Sequence, residues 1–237
     1  MILKYVRKYS IICKILIKKP LRRRYGNEKT KEIIVKADQI YREMLNRCED
    51  IGEKNPMVKN IYMGFYLISI YRAGNGVISL DEMRNIIKEI FELKYLKLIR
   101  LFLNIDKERH MNRFKKILKK SLIWAEKNPE YKDKTWDFNF IEDRFPIGVC
   151  YHFTYCPLHQ YCKEHDLLDI LKVVCETDYL TARLYNGVLF REKTLATGGD
   201  RCDYWFVGSS KEKECEKLFD EYKTRKDKYK TRKIEKE

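Results

Sequence analysis

Residues 187–207 read GVLFREKTLATGGDRCDYWFV, and this stretch decides the fold class. Val188 to Thr197 and Cys202 to Val207 are each rich in β-branched and aromatic residues, and Gly198-Gly199 lies between them. That pattern predicts two strands folded back on one another around a tight turn. In the second strand the two-residue period puts Cys202, Tyr204 and Phe206 on one face and Asp203 and Trp205 on the other. In the first, Arg191, Lys193 and Leu195 share a face opposite to Thr194, so only one of Arg191 and Thr194 can look directly into a cavity beneath the Cys202 face. The two glycines also leave backbone N–H groups free to receive an anionic or oxyanionic atom.

Working outward, Trp136, Phe138 and Phe140 alternate with Asp137 and Asn139, and Gly148 to Tyr155 reads as a further strand. Helical stretches are expected over Pro157 to His165 and Leu167 to Tyr185, before Asn186-Gly187 turns the chain. The half before Pro129 reads as mostly helical, with a turn at Ala73-Gly74-Asn75-Gly76. Apolar positions at spacings of three and four run from Glu28 to Asp50 and from Met57 to Tyr71. Ser79 with Glu82 forms a capping box for a long helix through Leu103, and Asp106 caps the next, to Glu126. The expected class is α+β: a helical N-terminal half packed with a small antiparallel sheet and helices in the C-terminal half. The segments are 1–24 (basic and amphipathic), 25–130 (helical), 131–210 (Cys-rich α+β) and 211–237 (charged tail), with 25–210 as one domain.

The chain has 237 residues, 44% of them hydrophobic, which excludes a disordered protein despite 36% charged residues. No apolar run approaches the roughly 18 residues that a spanning helix needs. The first twenty positions lack the apolar core of a secretory leader. Eight cysteines in a chain long enough to build its own core read as reduced thiols, hence a cytoplasmic setting. The net charge is +15, and residues 1–24 hold nine basic residues and no acidic one. Lys4, Arg7, Lys8, Lys14 and Lys18 fall on one side of a helical wheel, and Pro20 is expected to end that helix. The favoured reading is a helix packed on the body with a solvated Lys face; the alternative is attachment to an anionic membrane surface. The lysines and arginines of residues 107–120 form a solvated face, and no reader motif points to a specific nucleic acid.

Six of the eight cysteines and three of the four histidines lie between residues 150 and 215. Cys156, His159, Cys162 and His165 have zinc-ligand chemistry, but steps of three on a helix carry the first and last to opposite faces. A second grouping is better placed. The stripe Leu167, Leu171, Val174 continues at helical spacing to Asp178, so a carboxylate occupies a core-facing position and needs either a partner or a polar pocket. Cys175 sits beside it, and Cys202 can approach both.

These residues carry a resemblance. His152-x-Thr154-x-Cys156, then Glu164, Cys175-x-x-Asp178 and Arg191-x-x-Thr194-Leu-x-x-Gly198-x-x-x-Cys202-Asp203-Tyr204 are similar to the C-terminal motif of the L-2-amino-thiazoline-4-carboxylic acid hydrolase family, over residues 148–207. Two positions depart from the family pattern and bear on the substrate: His152 stands where Asn is usual, and Pro157 where Arg follows the first Cys. The resemblance implies a cysteine-dependent hydrolase that opens a small cyclic thiazoline, giving N-carbamoyl-L-cysteine. It implies Cys156, Cys175, Cys202 and Asp178 as catalytic residues, and Arg191, Thr194, His152, Gly198 and Asp203 as substrate contacts. His152 or Arg191 would supply the cation that favours a thiolate. Equally open is a divalent metal held by the three thiolates, with or without His152. The competing class is a non-catalytic module that binds a metal or small ligand through the same cysteines.

Overall fold

The computed structural model describes residues 3–141 and 144–234, with side chains over 9–141 and 144–224. Its first element, α1 (Leu3–Arg47), is helical except at Gly26 (φ 74°, ψ 177°). There the chain reverses. Lys14 Nζ lies 2.5 Å from Asp38 Oδ2, although 24 residues of straight helix would separate them by about 36 Å. The element is therefore a hairpin of two arms, 3–25 and 27–47. Pro20 does not end the first arm, contrary to expectation, because its fixed φ suits a helix and it forgoes only one backbone bond. The glycine ends it instead, because φ near +74° is open to a residue without Cβ. Cys13, Ile17 and Leu21 bury the inner face of the first arm, and Tyr9 stacks on Tyr62. The expected packing on the body holds for the described part; the side chains of Lys4, Arg7 and Lys8 lie outside the described residues.

Helix α2 (Val58–Ala73) passes beneath both arms, and at Gly64 the absence of a side chain admits Leu158. Helix α3 (Leu80–Phe91) starts at the expected capping box: Glu82 N–H donates to Ser79 Oγ at 3.1 Å and Ser79 N–H to Glu82 Oε2 at 2.8 Å. It stops at Phe91 rather than Leu103. Beyond it Leu93, Leu96 and Ile99 repeat at a strict three, which suits the 3₁₀ turn formed over Leu96–Leu101 and not an α-helix. Asp106 does not cap α4 (Glu108–Lys127). Its Oδ1 accepts instead from Ser210 N–H at 2.8 Å, tying the start of α4 to the end of the sheet.

The sheet is antiparallel, in the order β1 (Asp137–Phe140), β2 (Val149–Tyr155), β4 (Cys202–Gly208), β3 (Gly187–Phe190). Tyr151 is opposite Tyr204, His152 opposite Asp203 and Phe153 opposite Cys202. One face, with Tyr151, Phe153, Cys202 and Phe206, joins the core shared with the helices. The other carries Cys150, Val188, Trp205 and Val207 under α8 (Glu212–Ile234), whose Cys215 is fully buried there. The fold is α+β, as the sequence implies. The charged tail is helical as far as Ile234, and residues 235–237 lie outside the described residues.

Two elements are shorter than expected, for local reasons. The strand beginning at Val188 ends at Phe190, not Thr197. The Asp203 carboxylate captures the N–H groups of Glu192 and Lys193, and Thr194 and Thr197 cap each other around a 3₁₀ turn, Leu195–Thr197. The helix from Leu167 divides into α6 (Leu168–Cys175) and α7 (Thr177–Leu184), where Thr177 Oγ1 donates to Val174 O at 2.6 Å. Between β2 and α6 lies α5 (Pro157–Glu164).

Candidate active site

Four chain segments meet on the helical face of the sheet. Cys156 is the N-cap of α5, Cys175 ends α6, Asp178 stands in the first turn of α7, and Cys202 opens β4. All eight cysteines are free thiols. Burial pushes the Cys175 thiol well above its ordinary range, and Asp178, Cys156 and Cys202 add to the effect through their charges. Cys156 and Cys175 are only partly buried, whereas Cys202 is closed off. The helix is interrupted at Glu176, where the Cys175 carbonyl is taken by Arg191, and Asp178 is only partly buried.

Arg191 organises the group. Its Nη1 donates to Asp178 Oδ2 at 2.8 Å and its Nη2 to the carbonyl of Cys175 at 2.9 Å. The guanidinium lies between the rings of Tyr179 and Tyr204, at 4.8 and 5.1 Å from their centroids. Tyr204 OH also donates to Asp178 Oδ2, at 3.1 Å. The Arg191 side chain is 3% exposed and that of Asp178 34%. Burial opposes the Arg191 charge, but Asp178 and the tyrosines outweigh it and hold the guanidinium protonated. Both Nη groups of the fork are thus engaged within the protein.

The thiols differ in what favours their ionised form. Burial raises Cys202, opposed by the N–H of Leu195, which points at its Sγ from 3.2 Å, and by Arg191. Cys156 is pushed up to about 12 by burial, opposed by the N–H groups of His159 and Leu158 and the indole of Trp136. Leu158 and His159 belong to the first turn of α5, but none of these groups closes a capping hydrogen bond to Cys156.

Several expected contacts are placed differently. His152 lies across from Asp203, on the sheet face away from the thiols, and burial, Arg201 and Arg144 lower its pKa. It therefore supplies no cation to the cluster; Arg191 is the cation present. Asp203 is buried with its oxygens on Glu192 and Lys193 N–H, so it shapes the Arg191 segment and does not reach a ligand. Thr194 caps the 3₁₀ turn, its Oγ1 accepting from Thr197 N–H at 3.2 Å. The N–H groups of Gly198 and Gly199 are consumed by Leu195 O and Thr194 O, at 3.1 and 2.9 Å, and offer nothing to an oxyanion. Glu164 is on the surface with Gln160. Among the described residues, no three His, Cys, Asp or Glu side chains are grouped as ligands for a metal ion, so the expected alternative of a shared divalent metal finds no ligand set.

Sequence reasoning missed the roles of Tyr179, Tyr204 and Trp136. Tyr204 was readable, because it shares the Cys202 face by alternation. The other two come from elements whose approach only the tertiary fold sets.

The fold and site define an α+β protein with three thiols near a pairing of buried Arg191 with partly exposed Asp178, on the inner face of a four-stranded sheet. The family model described as L-2-amino-thiazoline-4-carboxylic acid hydrolase matches residues 57–206. The chain belongs to that family and is a hydrolase of that type. The match takes in α2, α3 and α4 as well as the sheet, which is wider than the motif region of residues 148–207, while α1 lies before it. Neither the curated proteins nor the solved structures contain a match to the chain. Among the described residues no helix is long and apolar enough to cross a membrane.

Proposed function

We propose that the protein opens a small cyclic amidine of the 2-amino-thiazoline type by covalent thiol catalysis, with Cys156 as nucleophile. The observation that supports this assignment most strongly is the position of Cys156. The residue is half-buried, it sits at the N-terminus of α5, and N–H groups there partly oppose the burial that holds its thiol protonated.

In this reading the Cys156 sulfur adds to the ring carbon between nitrogen and sulfur, and the displaced electron pair goes to the ring nitrogen, which takes a proton. The carbon–ring-sulfur bond then breaks, and the departing sulfur takes a proton to become the thiol of the opened product. Water adds to the same carbon and gives a proton to Asp178. The bond to Cys156 breaks last: the added hydroxyl loses its remaining proton as its oxygen becomes the urea carbonyl, and Asp178 returns a proton to the Cys156 sulfur. Exchange of one carbon–sulfur bond for another keeps the first half near balance, and the irreversible gain comes with water. Asp178 serves as the proton-transfer group at the partly exposed mouth. Arg191 is a positioning residue: it fixes Asp178 and the end of α6 and so sets Cys175 beside them. Cys175, also half-buried, offers the ring sulfur a polarisable neighbour, while Cys202 is buried behind it.

The test is ring opening of L-2-amino-thiazoline-4-carboxylate, read as release of free thiol. Cys156→Ser is expected to lose at least 100-fold in kcat, and Cys156→Ser with full activity would remove the assignment.

A further inference from the structure

Two exposed surfaces outside the thiol site share one composition. The outer face of the first α1 arm carries Ile11, Ile12 and Ile15, the last 66% exposed. On the same face, one and two turns further on, stand Lys18, Lys19 and Arg22, all exposed. The second surface is the 3₁₀ turn after α3. None of its residues is buried, and Leu101 and the following Phe102 are each 72% exposed, with Tyr95 and Leu98 also standing outward.

That turn is held rather than loose. Arg100 points inward, its Nη2 donating to Arg183 O at 2.9 Å and its Nε to Leu184 O at 3.3 Å at the end of α7. The apolar side chains are therefore presented by a fixed backbone. The two surfaces are also tied together at their edges: Arg23 and Arg24 at the end of the first arm both bind Glu89 in the last turn of α3, at 2.6 and 2.8 Å. Glu89 is five residues from Lys94, where the second surface begins.

Their chemistry selects a partner. Residues 1–24 contain no acidic side chain, and neither do residues 93–105, which add Lys94 and Lys97 beside the inward-pointing Arg100. A large apolar side chain beside Lys and Arg, repeated in two acid-free segments, complements a surface that is negative outside and hydrocarbon within. Isoleucine, leucine and phenylalanine enter such a boundary while lysine stems reach back to the phosphates. We infer that these two segments together dock the protein on an anionic membrane surface, without crossing it. The inference is independent of the chemistry proposed at the thiols.

The test uses the full chain and sedimentation with phosphatidylcholine vesicles, with and without about one-third phosphatidylglycerol. Binding to the anionic vesicles is expected to exceed binding to the neutral ones at least tenfold and to weaken with salt. Leu101→Ser with Phe102→Ser, and separately Ile12→Ser with Ile15→Ser, are each expected to reduce it at least tenfold. Lys18→Gln with Lys19→Gln should reduce it several-fold. All these side chains are exposed, so thermal melts of the variants should match the parent. The inference is overturned by no binding to anionic vesicles at low salt, or by equal binding to both vesicle types. It is equally overturned if the serine variants bind as the parent does, which is the behaviour of a simple polycation, or if they instead dissociate a dimer of this chain.

Discussion

Asp178→Asn should destabilise the protein more than Arg191→Met, and combining the two should cost no more than Asp178→Asn alone. The order follows from exposure. Asp178→Asn keeps the shape but leaves a guanidinium that is 3% exposed without an anion, whereas Arg191→Met leaves a carboxylate that is 34% exposed and can turn to water. Breaking a fully buried pair costs about 3–5 kcal/mol. Screening at the open side of Asp178 reduces this to about 2–3 kcal/mol for Asp178→Asn. For Arg191→Met about 1–2 kcal/mol is expected, mostly the donor lost from the Cys175 carbonyl. At roughly 2–4 °C per kcal/mol for a chain of this length, the Asp178→Asn melting point falls by roughly 4–12 °C. Urea unfolding of the parent, both single variants and the double variant gives the full cycle. If Arg191→Met were the more damaging, or if the two losses simply added, Arg191 would not be a buried charge that depends on Asp178, and its positioning role would fall.

Further outcomes can be checked independently. Iodoacetamide labelling of Cys156, followed by peptide mass analysis, should be slow at neutral pH and should accelerate about tenfold per pH unit from 8 to 10 without levelling, because burial puts this thiol at about 12. A plateau near pH 7 would mean a preformed thiolate. Burial also raises Cys162 from 9.0 to about 12. Its folded-state value lies above the unfolded one, so this stability is complete below pH 9 and drains away as pH rises towards 12. The loss is at most about 2 kcal/mol at pH 10.5, and Cys162→Ala should weaken this alkaline decline in urea midpoints. Gly148→Ala should cost well over 2 kcal/mol, because a Cβ there meets the Phe206 carbonyl oxygen at 2.2 Å as well as a φ of +86°. Gly26→Ala has φ +74° but open space, and about 1–2 kcal/mol is expected; equal losses would contradict the packing at Gly148.

Much of this arrangement is legible in the sequence, and the exceptions share a cause. Alternation in CDYWFV placed Cys202 and Tyr204 on the inner face, and Ser79 with Glu82 fixed the start of α3, because both signals lie within a few residues. The hairpin at Gly26 was missed because Pro20 is the louder local signal, while the reversal is stabilised by contacts such as Lys14 with Asp38 that no window contains. Residues 191–197 read as strand by composition. Their N–H groups are captured by Asp203 and by Thr194 with Thr197, side-chain competition that outweighs β propensity. The thiol grouping could be inferred from spacing, but the pairing of Arg191 with Asp178 could not, because it joins α7 to the segment after β3, whose approach only the tertiary fold sets.

The central claim is that Cys156 forms a covalent bond to the substrate carbon. Its most direct test is acid quenching of the full chain during turnover of L-2-amino-thiazoline-4-carboxylate, followed by mass analysis of the Cys156 peptide. The account expects that peptide to carry one intact substrate molecule, with more of it trapped in Asp178→Asn, where attack by water is slowed. Full turnover with Cys156 unmodified at every quench time, and undiminished in Cys156→Ser, would contradict it.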